Sequence, residues 1–60
     1  MNYVVNVPHT KFDLGMYNWL INNIGGQEIN WKVLIDSWNR RAVYFRFEAD
    51  SLAFKSRFGM

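Results

Sequence analysis

Apolar and polar positions change period several times along the chain, and each change predicts an element. Tyr3-Val4-Val5-Asn6-Val7 is rich in β-branched residues and is stopped by Pro8, which cannot donate to a ladder, so it predicts a first strand. The period then lengthens. At about 100° per residue, Phe12, Leu14, Met16, Tyr17, Trp19, Leu20, Ile21 and Ile24 sweep one broad arc, with Lys11, Gly15, Asn18 and Asn22 opposite. This predicts an amphipathic helix starting near Lys11, with Thr10 and Asp13 in the spacing of a capping box and Gly25-Gly26 as its end.

Two runs, Trp31–Trp38 and Ala42–Glu48, return to strand character and predict a β-hairpin joined by Asn39-Arg40-Arg41. Alternation puts Val33, Ile35, Val43, Phe45 and Phe47 on the face toward the helix. It puts Lys32, Leu34, Asp36, Trp38, Tyr44, Arg46 and Glu48 on the other. Asp50 or Ser51 then caps a short second helix containing Leu52, Ala53, Phe54 and Phe58. Lys55 and Arg57 stand near its negative end, and Gly59 closes it.

The predicted order is β-α-β-β-α, an α+β fold. It corresponds to a ferredoxin-like arrangement lacking the last strand, with an antiparallel or mixed three-stranded sheet and both helices on one face. The first strand then has one unpaired edge, open to strand addition by a second copy or a partner peptide. Lys32 and Arg46 are candidate gatekeepers in the hairpin.

Composition narrows this reading. The 60 residues leave room for one domain, residues 1–60, and with no cysteine the core rests on side-chain packing alone. Three Trp, three Tyr and five Phe supply that packing, and their surplus favours a homo-oligomer or a bound partner. The formal net charge of +2 permits nucleic acid without indicating it. No signal-peptide pattern and no membrane-length apolar run are read in the chain, so the expected location is the cytoplasm.

Catalytic chemistry is not expected. One histidine, no cysteine and no Gly-x-Ser-x-Gly elbow leave no activated nucleophile, and no cofactor or small-molecule substrate is indicated. His9 and Asp13 would share a metal only if the helix began earlier than Pro8 and the cap suggest, so His9 reads as a loop residue near a helix start. Glu48 and Asp50 read as a strand end and a helix cap. Gly25-Gly26 follows a helix, the reverse of a phosphate loop.

The remaining candidates are basic and aromatic. Tyr3-Val4-Val5-Asn6-Val7 is similar to the first-strand motif of RNA-recognition motifs, and Arg40 to Phe47 resembles their third-strand motif. That resemblance implies stacking roles for Tyr3 and Tyr44, a basic role for Arg40 and a closing aromatic in Phe47. Ala42 stands where another aromatic belongs, and Arg41 replaces a glycine. The segment Phe47 to Gly59 resembles the closing segment of small uncharacterised proteins of tailed phages, marine and T4-like, which implies a viral protein in a host cytoplasm.

The resulting expectation is a non-enzymatic phage-type binding or regulatory protein acting through protein–protein contacts, with self-association. The alternative is single-stranded nucleic-acid binding on the sheet face. Candidate contact residues are Tyr3, Lys32, Trp38, Arg40, Arg41, Tyr44 and Arg46.

Overall fold

The computed structural model describes residues 1–60 and contains β1 (Tyr3–Pro8), α1 (Leu14–Asn23), β2 (Trp31–Ser37), β3 (Arg40–Phe45) and α2 (Glu48–Phe58). The fold is α+β in the order β-α-β-β-α. Strand β3 lies in the centre, the sheet order is β1-β3-β2, and both neighbouring pairs are antiparallel.

Register assigns every strand residue to a face. Tyr3 pairs with Phe45 and Trp31 with Phe45, while Val5 and Val33 both pair with Val43. These residues share one face, and its centre is the core. Val5, Val7, Trp31, Val43 and Phe45 are buried there against Met16 and Leu20 of α1 and Phe54 of α2. Tyr17 meets the Trp31 ring edge-on at 5.8 Å, and Phe54 lies 5.3 Å from the Phe45 ring. Trp19 bridges the helices through Phe54 and Phe58. The Trp31 indole N–H donates to the Gly25 carbonyl at 2.7 Å, which leaves the largest buried side chain with no unmet polar group.

Several boundaries differ from the sequence expectation. Helix α1 begins at Leu14 because Asp13 is itself the cap, accepting the Met16 N–H at 2.9 Å; Lys11 and Phe12 instead form a turn on the Pro8 carbonyl. Gly25 follows the helix with φ 119°, and both its N–H and that of Ile24 bond to the Leu20 carbonyl. The hairpin turn is Trp38-Asn39, two residues long, so Arg40 and Arg41 belong to β3. Strand β3 stops at Phe45. Phe47 caps α2 through its carbonyl, which accepts from Asp50 and Ser51, and Glu48 is helical. Two residues expected in the core are therefore outside it: Phe47 is half exposed at the helix cap, and Ile35 is 73% exposed at the hairpin end, where neither helix covers it. In α1 the rim of the predicted arc, Leu14 and Ile21, is also exposed.

Candidate functional site

Both helices pack on one face, so the other face of the sheet is open. Its rows follow from the register: Val4, Tyr44 and Lys32 form one, and Asn6, Ala42 and Leu34 the next. Ala42 is only 4% exposed because it is the small residue of the central strand, closed over by its larger neighbours. Val4 and Leu34 are exposed on either side of it. The Lys32 ammonium sits over the Tyr44 ring, 5.5 Å from its centroid.

At the hairpin end the ladder is irregular. Ile35 pairs with Arg41 and Ser37 with Arg40, which leaves Asp36 as an extra residue on β2, a β-bulge. Its carboxylate accepts from Arg40 Nε at 2.6 Å, so this guanidinium is already paired. Ser37 donates to the Asn39 side chain across the turn. Trp38 stands at the tip, 84% exposed, the most exposed large apolar side chain of the chain.

The seven candidate residues do not form one constellation. Lys32, Arg40 and Tyr44 share the open face. Arg46 follows β3, its N–H bonded to the Asn30 carbonyl and its guanidinium 5.6 Å from the Phe47 ring. Tyr3 and Arg41 lie on the helix side, because they share alternation with buried Val5, Val7, Val43 and Phe45. The two tyrosines at stacking positions therefore sit on opposite faces. Expecting them on one surface is corrected by the strand's own period: with Val5 and Val7 inward, Tyr3 must follow them.

The candidate list also omitted Val4, Asn6 and Leu34, which line the open face. The same alternation identifies them. The surface has no cavity, and no three His, Cys, Asp or Glu side chains gather as a metal would require. No helix is long and apolar enough to cross a membrane. No protein-family model, curated protein or solved structure matches this chain.

Proposed function

We propose that this chain is a small non-enzymatic binding or regulatory protein that works through protein–protein contacts. The observation that carries this reading is the open sheet face, which leaves Val4 and Leu34 exposed beside the half-buried Tyr44–Lys32 pair, with Trp38 exposed at the hairpin tip. Aromatic residues ringed by polar side chains are the composition of binding hot spots. The strand order β1-β3-β2, with helices on one side, supports reading the fold as ferredoxin-like without a strand beside β1. The tail's resemblance to small tailed-phage proteins supports a setting in an infected bacterial cytoplasm.

The test is affinity capture with the wild-type chain and with a Leu34→Asp, Trp38→Ser variant, both checked by circular dichroism. Protein captured by the wild type and lost by the variant supports the reading. Identical capture by both contradicts it.

Lys32 over Tyr44 favours a second reading, single-stranded nucleic acid stacked on Tyr44. It predicts binding that weakens steeply with salt, and a loss of about 1–3 kcal/mol for Tyr44→Ala. Oligonucleotides that fail to shift at low salt exclude it. The placement of Tyr3 on the other face and the pairing of Arg40 with Asp36 favour the protein reading.

A further inference from the structure

The outer edge of β1 has a chemistry that singles out its partner. The His9 N–H donates to the Asn39 carbonyl at 3.0 Å, continuing the β1–β3 register beyond the strand and fixing the phase of its hydrogen bonds. In an antiparallel pair, bonded residues alternate, so the odd residues Tyr3, Val5 and Val7 turn their N–H and C=O groups toward β3. Val4 and Asn6 turn theirs outward, as does Asn2 by the same alternation. Pro8 occupies the next outward position, where it has no N–H, and its carbonyl already accepts from Lys11 and Phe12 at 2.9 and 3.2 Å. The usable edge is therefore Asn2, Val4 and Asn6, and the strand carries no charge and no bulge to blunt it.

The outward positions read Asn-Val-Asn, a pattern that is its own reverse. We propose, extending the protein-binding reading above, that β1 pairs antiparallel with β1 of a second copy about a two-fold axis at Val4. Val4 then faces its own copy, and Asn2 faces Asn6 in both directions. Every outward N–H and C=O of the edge is satisfied, in roughly six hydrogen bonds. The side chains on the open face match like with like, valine on valine and amide on amide, an amide being both donor and acceptor.

Centring the pair one residue later, on Val5, sets Asn2 against Pro8 and loses a donor on each side. The Val4 register is thus the one the edge chemistry selects. It joins two three-stranded sheets into one of six, with the open faces continuous. A contact this short lies below the standard interface of about 1,600 Å², so its dissociation constant is expected between about 1 µM and about 1 mM.

Light scattering across dilution, with Val4→Lys beside Ile35→Lys, tests this. Both residues are exposed, 45% and 73%, so both variants keep the core. The expected result is a dimer at high concentration for the wild type and Ile35→Lys. Val4→Lys sets like charges opposite one another and raises the dissociation constant by at least about tenfold. Should Val4→Lys fail to fold, the cysteine-free chain permits Val4→Cys, because paired backbones about 5.5 Å apart suit a disulfide. Oxidised Val4→Cys should cross-link much faster than Ile35→Cys. A strict monomer, a Val4→Lys dimer as tight as the wild type, or equal cross-linking of both cysteines overturns the proposal. A monomer that still captures protein through Leu34 and Trp38 leaves the broader reading standing.

Discussion

The two edges of the sheet are built differently. Strand β2 is guarded along its length: the Glu28 N–H takes the outward Trp31 carbonyl at 2.7 Å, Lys32 and Asp36 place charges on it, and the bulge at Asp36 breaks its register. Strand β1 pairs regularly from Tyr3 to Pro8, carries no charge, and is closed only by the proline at its end. Guarded edges resist pairing and bare ones invite it. With one edge of each kind, assembly through β1 is self-limiting: a two-fold contact consumes the bare edges and leaves only the guarded ones outside.

The largest test of this contrast removes the anchor of the guarded edge. Trp31→Ala deletes the biggest core side chain together with its bond to Gly25, at a cost of about 3–5 kcal/mol. For a domain of this size, that is expected to abolish the cooperative thermal transition in circular dichroism. A cooperative melt close to that of the wild type would show that Trp31 does not hold this edge.

Proline substitutions in β1 separate its two sides. Val5→Pro removes an inward N–H and leaves a buried carbonyl unmet, costing about 1–3 kcal/mol from that bond alone. Val4→Pro removes only an outward donor and should change monomer stability by under about 1 kcal/mol in urea titration. Equal losses at both positions would contradict the assigned phase, and a larger loss at Val4 would invert it. Gly25→Ala forces a side chain onto a left-handed residue beside the Trp31 anchor and should cost about 1–2 kcal/mol. The smallest effect belongs to the bulge: Arg40→Ala opens an exposed pair with Asp36, worth under about 1 kcal/mol by the same titration.

The order of elements was legible because apolar period changes where backbone geometry changes. Val43 and Phe45 alternate as a half-buried strand must, and Met16 and Leu20 recur at helical spacing. The hairpin turn was misplaced because the bulge at Asp36 carries no glycine or proline to signal it, and Arg40 and Arg41 look like loop residues until paired. Phe47 continues the alternation of Phe45 in sequence, yet the chain has already turned into α2 there. The open face was half visible: Lys32, Leu34 and Tyr44 followed from period two. Tyr3 was assigned by motif likeness, and the inward Val5 and Val7 decide its side instead. The free edge of β1 was legible from the order of elements, and the strand order β1-β3-β2 agrees with it. The guarding of β2 was legible only in Lys32, because the bulge at Asp36 and the Glu28 bond to the Trp31 carbonyl leave no mark in the sequence.

The proposed pairing puts β1, and not β2, at the contact between copies. Residue-resolved amide hydrogen exchange at increasing protein concentration tests it most directly, because Val4 and Asn6 have outward N–H groups that only a partner strand can protect. Protection at Val4 and Asn6 is expected to rise with concentration, while Val33 and Ile35 on the guarded edge continue to exchange freely. Fast exchange at Val4 and Asn6 at every concentration, or equal protection arising at Val33 and Ile35, would contradict it.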